Sequence, residues 1–456
     1  MLFQIIRKEL LLNLVSFRFI ISSVLLFVLI VGSMNIMAVN YTRRLADYSS
    51  GVEMHADDID KINTRPMFEG FGVTRDPRPA MLGIFSIGLD PIMSRSFMVP
   101  GYTMKMGDQG QGGRLFYGVS KLVGVMPEGS KYSNPIFTLF QPPDFVYVIN
   151  IVLSLLAILF AFDAISGEKE SQTLKLMLTN SLPRDVILFG KWIGGTISIL
   201  LPFCIAFGIG ALTLLIRPDI SPAEEATSRI LVIFVLALLY IAVFFLIGLV
   251  FSTFSARSST SLVLSLFAWV LFVLVIPNLA PVISRQFVSM KPADAITREL
   301  ERQEREMWGD GGGKRVKAEI PEKVSALEDA WLRRLERQAS LAVNISRVSP
   351  SAAYIYASST MAGTGISDYF SARDEVLRHR QELGDARDKF VQDDKSQVIP
   401  GLYIKVASDL VPEFRDKRQD LSTSLNNSLI DLAILVVYLI ALFMVAFLKF
   451  LRYDVK

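Results

Sequence analysis

Long apolar runs, each about the length of a membrane crossing, alternate along this chain with charged islands and two long mixed segments. Residues 19–39 carry no charge and supply the ~20 residues that a helix needs to cross a bilayer. Five more apolar runs follow, at 145–162, 192–216, 230–256, 258–284 and 428–448. A Lys, Arg or Asp at a span centre costs roughly 2.5–3.5 kcal/mol, and these runs avoid it. Asp431 is the exception. It lies near the start of the last run, which leaves open an interfacial position or a buried functional carboxylate.

The pattern changes character outside these runs. In residues 1–16, Leu2, Phe3, Ile6, Leu10 and Leu14 share one side and Arg7, Lys8 and Glu9 fall elsewhere. That predicts an amphipathic helix lying in the membrane interface, with a plain extension of the first span as the alternative. A cleaved signal peptide fits poorly, because the run is too long and no small-x-small site follows it closely. Residues 41–143 open helically from Arg43 to Asp60 and then turn rich in Gly and Pro, with short β-like runs at 81–89 and 121–126. Residues 285–427 predict helices: a charged one from Pro292 to Trp308, a break at 309–313, and a long one from Pro321 carrying Val324, Leu327, Trp331, Leu335, Leu341 and Ile345. Ser367-Asp368 then caps a third, through Phe390.

The expected fold is therefore a mainly α membrane protein with six transmembrane helices: 17–40, four within 144–284, and 428–450. An interfacial helix precedes them, and a tail at 451–456 follows. Two insertions lie outside the membrane: a small α+β lobe at 41–143 and a helical lobe at 285–427. Six spans put both termini on one side. With the amino terminus cytoplasmic, that side gathers Arg7, Lys8, Arg18, Lys169, Lys175, Arg184, Lys191, Arg257, Lys449, Arg452 and Lys456, against two arginines in the short outer loop at 217–229. Pro277 and Pro281 predict either a break or a kink near the outer end of the fifth span.

The island at 163–191, DAISGEKESQTLKLMLTNSLPRDVILFGK, has its own logic. After Glu168-Lys169-Glu170, the residues Leu174, Met177 and Leu178 recur at the spacing of one helical face. Asn180 and Pro183 stop that helix, and Ser181 is placed to cap the next. A short amphipathic helix at 166–180, on the expected cytoplasmic side and held between two spans, suits the passage of a push from a soluble partner into the membrane.

Composition removes most enzymatic readings. A net charge of +3 argues nothing about nucleic acid, and none is expected as a partner. The single cysteine, Cys204, excludes an internal disulfide. His55 and His379 lie far apart without cysteine neighbours, so no metal site is expected. No HExxH, no GxSxG and no paired intramembrane carboxylates occur, which disfavours a membrane peptidase or lipid hydrolase. Gly313-Lys314 is followed by Arg315 where a Walker A motif needs Ser or Thr. A transporter with no ATP site and almost no ionisable residue in its spans is best driven by ATP hydrolysis on a separate subunit.

The run FDAISGEKESQTLKLMLTNSLPRDVILFGKWIGG resembles the coupling segment of type-2 ABC exporter permeases. The matching positions are Asp163, Glu168, Lys169, Glu170, Thr173, Leu174, Met177, Leu178, Pro183, Arg184, Gly190 and Lys191. Ser171-Gln172 departs from the pattern, which often has Gly before the Thr. Ser349-Pro350-Ser351 with Ala362-Gly363-Thr364-Gly365 is similar to the large outer loop of one permease subgroup, and residues 84–90, IFSIGLD, give a weaker match.

The resemblance implies a permease subunit in a bacterial inner membrane, with no bound cofactor of its own and ATP and Mg on two copies of an ABC ATPase subunit. Glu168, Lys169, Glu170, Thr173, Leu174, Met177 and Leu178 are the expected ATPase contacts, the apolar ones filling a groove and the charged ones fixing register. The alternative is a solvated turn with its leucines on lipid. A second permease chain, identical or related, is expected to complete the pathway, and Gly190 with Gly194 forms a GxxxG suited to close helix approach. Two activities remain open: solute export, or force transmission to a periplasmic protein without translocation.

Overall fold

The computed structural model describes residues 2–61, 73–99, 143–179, 183–217, 220, 225–290, 319–393, 412–416 and 418–453, with isolated positions between 295 and 302. Helix α1 is Leu2–Leu14 and α2 is Phe17–Lys61. Helix α3 joins Phe145–Val148 to Ser154–Ala161 through a π-helical turn at Ile149–Leu153. Two short helices follow, α4 (Ser166–Glu170) and α5 (Thr173–Thr179), then α6 (Arg184–Leu215) and α7 (Ala226–Phe254). Helix α8 runs from Ser258 to Phe287 with a π-helical turn at Val270–Val275. Helices α9 (Glu319–Ser346), α10 (Pro350–Met361), α11 (Ile366–Asp393) and α12 (Leu421–Leu451) complete the chain. Six of these helices are long and apolar enough to cross a membrane: α2, α3, α6, α7, α8 and α12.

Helix α7 is apolar all round, which suits a helix enclosed by others. It packs against α3, α6, α8, α10 and α12. Small residues set the close approaches. A Cβ on Gly195 would stand 2.2 Å from the Phe245 ring, and one on Gly210 would stand 2.4 Å from Met34 Sδ. Gly190 and Gly194 are spent inside the chain. Their Cβ positions are filled by Ile5 at 2.8 Å and by Glu9 at 2.9 Å, so the GxxxG receives α1.

Proline in the fifth span yields a π-helical turn and not a break. Pro277 lacks an N–H and crowds the carbonyl one turn earlier, and the helix widens just before it. Side chains take up the loosened carbonyls: Asn278 donates to Leu274 O at 2.7 Å and the Ser349 hydroxyl donates to Phe272 O.

Part of the 285–427 segment packs into the bundle. Helix α10 is buried among the spans. Tyr354 stacks on Tyr240, the midpoint of α7, at 4.4 Å between ring centroids. Ser349 caps α10, and Ser351 donates to Asn150 Oδ1 at 2.6 Å, inside the π-helical turn of α3. Tyr240 donates to the same oxygen at 2.7 Å, and Trp269 of α8 donates to Ser154 at 2.8 Å. The two π-helical turns and the Ser-Pro-Ser motif therefore form one buried polar cluster.

Asp431 is buried within the protein. Arg347, just before α10, holds it with two parallel hydrogen bonds of 2.7 and 3.0 Å.

The β-like run at 81–89 is not a strand. Met81–Ile84 is a single 3-10 turn, and the sheet is a two-stranded antiparallel pair, β1 (Val73–Arg75) with β2 (Phe97–Val99). Phe85 sits against Phe145, at 5.7 Å, and its carbonyl accepts from Val146 N, so an apolar run of strand composition is buried as a plug over α3. Gly88, at φ +44, lies where a Cβ would come within 2.4 Å of Thr364 O. Leu89 N donates to that oxygen and the Thr364 hydroxyl donates to Ser86 O, so the two outer motifs of the sequence are clasped together. Asp90, fully buried, accepts from Arg44, from Arg418 at 3.4 Å and from Ala80 N. The run at 121–126, the break at 309–313 and Ser181 lie outside the described residues.

Helix α11 carries two buried titratable groups of opposite sign. Burial lifts Asp368 to about 6, although Gly365 N donates to it at 3.1 Å. Burial, with Arg75 and Arg378 nearby, lowers His379 to about 4. Its Nε2 accepts from Arg75, and its Nδ1 is 4.0 Å from Glu382, too far for a hydrogen bond. Asp368 binds more protons folded than unfolded, so its contribution is full below pH 4 and is lost as pH rises through 6. His379 binds fewer protons folded, so its contribution is full above pH 6.5 and is lost as pH falls through 4. Between these limits each slope approaches about 1.4 kcal/mol per pH unit, and the two oppose each other. The native α11 region is expected to show nearly flat stability from pH 4.5 to 6. Asp368→Asn is expected to make stability rise with pH, and His379→Gln to make it fall, read by hydrogen exchange across α11.

Candidate functional site

The charged island ties into the bundle residue by residue. Asp163 holds Arg18, at the start of α2, at 2.7 Å. Ile165 N and Ser166 N both donate to Ser252 Oγ at 2.9 Å, so a serine near the end of α7 caps the start of α4. Glu168 pairs with Lys191 of α6 at 2.8 Å and approaches Lys8 of α1 at 3.9 Å. Lys191 is buried and also holds Glu9 of α1 at 2.8 Å. Three helices from different parts of the chain thus meet at one ammonium.

The next two residues serve helix ends. The Lys169 ammonium donates to the carbonyls of Thr253 and Ser255, closing the carboxyl end of α7, where free carbonyls favour a cation. Glu170 accepts from Ser258 N at 3.2 Å, at the amino end of α8, where free N–H groups favour an anion. Arg184, twenty residues from Ala164 along the same island, donates to Phe450 O, Leu451 O and Tyr453 O and so closes the carboxyl end of α12. The stretch from Asp163 to Lys191 therefore bonds to α1, α2, α7, α8 and α12, and it is covalently continuous with α3 and α6.

The sequence-selected residues divide accordingly. Glu168, Lys169 and Glu170 are engaged within the chain. Leu174 is fully buried in the cluster that also holds Ile165, Ile187 and Leu246, so it fills a groove of its own protein. Met177 packs on the edge of that cluster, and its sulfur accepts from Lys8 at 3.9 Å. Thr173 is exposed, its hydroxyl 2.9 Å from Ser171 Oγ. The side chain of Leu178 lies outside the described residues. The exposed side chains here are Glu170, whose carboxylate is turned to α8, and a rim of Ser171, Gln172, Thr173 and Lys175.

Gln172 explains the departure from the glycine-bearing pattern. It joins α4 to α5 at φ +57, a left-handed backbone that glycine adopts without strain. The left-handed conformation costs an ordinary residue roughly 1–2 kcal/mol. Gln172→Gly is expected to raise the melting midpoint, by about 1 kcal/mol of stability, with the fold unchanged. Thermal unfolding in detergent checks this.

Sequence reasoning placed Arg184 and Lys191 in the matching segment without giving them a partner, and it missed Ser252 and Glu9 as parts of the site.

With this geometry in hand, the comparisons are specific. The family model described as ABC-2 family transporter protein matches residues 3–455. The chain belongs to the ABC-2 transporter family. It is also similar to two proteins named probable ABC transporter permease protein NosY. The one from Pseudomonas aeruginosa is 41% identical over 73 residues, 16% of this chain and 26% of that protein. The one from Stutzerimonas stutzeri is 44% identical over 63 residues, 14% of this chain and 23% of that protein. The chain thus spans about a quarter of the length of these relatives. As a member of the ABC-2 transporter family with six helices long and apolar enough to cross a membrane, it is a multi-pass membrane protein.

Proposed function

We propose that this ABC-2 permease is the transmembrane subunit of an ATP-driven exporter, and that the 166–179 segment receives its separate ATPase subunit. The observation that carries this is the set of bonds from Asp163–Lys191 to α1, α2, α7, α8 and α12. A displacement of that segment acts on every span, as a lever must. The ATPase contact is the exposed rim of Ser171, Gln172, Thr173 and Lys175, with Met177 at its edge. Glu168, Lys169 and Glu170 transmit the displacement and do not dock. ATP and Mg belong to two copies of the ATPase. A second permease chain, identical or related, completes the assembly in a bacterial inner membrane, with both termini on the ATPase side.

A second reading has its own support. Helix α10 packs at the midpoint of α7 and is continuous with α9 and α11 outside the spans. That gives a rigid path from the lever to the outer helices, which suits force transmission to a periplasmic protein without solute movement.

The test is co-purification with a candidate ABC ATPase, with ATP turnover as readout. The native chain is expected to retain the ATPase and change its turnover. Gln172→Glu with Thr173→Arg is expected to abolish retention while leaving the melting midpoint within a few degrees. Retention by this variant equal to the native chain overturns the docking assignment.

A further inference from the structure

Among the described residues, the largest of the cavities outside the spans and the lever has no role so far. It opens at the end of α8 remote from Glu170, has a volume of about 670 Å³, and lies between Phe287 and the facing side of α9. Arg334, Arg337, Leu341 and Asn344 recur there at i, i+3, i+7 and i+10, one stripe of a helix, with Ser340 beside them. Neither Arg334 nor Arg337 makes an ion pair or hydrogen bond among the described residues, although α9 and α11 are rich in carboxylates. The neighbouring Arg347 and Arg373, by contrast, are both paired. Two guanidinia unneutralised among the described residues, beside an amide, a hydroxyl and an apolar wall, make an acceptor site for an anion that carries a hydrocarbon part.

Its depth identifies the occupant. Helix α8 begins at Ser258, beside Glu170, and its 30 residues run ~45 Å at 1.5 Å each. A bilayer measures ~40–45 Å across with its headgroups. Phe287 therefore stands at the headgroup layer of the membrane face opposite the lever, and it is 76% exposed. Along the same helix the apolar Leu279, Val282 and Ile283 are exposed. We propose that this cavity binds the phosphate headgroup of an anionic phospholipid. Arg334 and Arg337 hold the phosphate, Ser340 and Asn344 hydrogen-bond the glycerol oxygens, and Phe287 with Leu341 lies along the first part of the acyl chains. The site rests on six membrane-crossing helices and not on the ATPase assignment.

Native mass spectrometry of the intact chain from mixed micelles tests it, with phosphatidylglycerol and phosphatidylcholine at equal mole fraction and inorganic phosphate as a separate arm. Two guanidinia at a charged lipid surface predict a preference of roughly 30-fold for phosphatidylglycerol. Arg334→Gln with Arg337→Gln is expected to reduce it to near unity with an unchanged melting midpoint, since both side chains are exposed. Equal retention of the two lipids by the native chain, an undiminished preference in the double variant, or displacement of phosphatidylglycerol by inorganic phosphate at millimolar concentration overturns the assignment. Loss of ATPase coupling bears on the lever alone and leaves this result intact.

Discussion

Lys191→Ala is expected to destabilise the chain by about 3–5 kcal/mol, because it leaves the Glu9 and Glu168 carboxylates facing each other in a buried site without their shared cation. The ammonium is the junction of α1, α6 and α4. Its removal is expected to free α1 from the membrane face of α6, although Ile5 against Gly190 and the Asn13 to Ser198 hydrogen bond remain. The measurement is thermal unfolding in detergent, with protease accessibility of residues 2–14 as the local readout. Adding Glu9→Gln and Glu168→Gln to Lys191→Met is expected to recover more than half of the loss, since a neutral site has no unpaired charge. A Lys191→Ala chain that melts with the native one contradicts the junction.

The second large effect is expected at Asp431. Asp431→Ala strands the Arg347 guanidinium against the buried side of α12 and is expected to cost about 3–5 kcal/mol. The pair fixes the point where the chain turns from α9 into α10, helped by Tyr438, whose hydroxyl donates to Val348 O. Hydrogen exchange is expected to rise across 349–361 while α7 stays protected. Arg347→Ala is expected to show the same pattern. The double substitution is expected to cost less than the sum of the two, with a coupling energy of about 0.5–3 kcal/mol.

These two sites show where the sequence was legible and where it was not. The six spans followed from run length and the absence of charge, because a membrane enforces both. The island at 163–191 was legible as a short helix between spans. The bonds from its charges to neighbouring helices were not, since a Glu-Lys-Glu turn has one spelling whether it only faces water or also caps neighbouring helices. Leu174 illustrates the same gap: helical spacing reports a face but not what covers it. Helix α10 was missed as part of the bundle because its sequence, PSAAYIYASSTM, is small and polar, the composition of close helix packing and not of a lipid-facing span. The apolar run at 81–89 passed for a strand because a buried 3-10 turn needs the same residues. Gly88 and Gly363, both at positive φ, marked the irregular backbone there. Pro277 announced a disturbance in the fifth span, and only the positions of Ser349 and Asn278 decided between a break and a π-helical turn.

The central claim is that the rim of the 166–179 segment meets the ATPase while the Glu-Lys-Glu turn behind it holds the spans. A photo-crosslinking residue placed at Thr173, with the same residue at Arg95, just before β2, as control, tests it in membranes containing a candidate ABC ATPase. The account predicts an adduct between the chain and the ATPase from Thr173 and none from Arg95, both positions being exposed. An adduct from Arg95 with none from Thr173 would contradict it, placing the ATPase on the opposite face of the membrane from the lever.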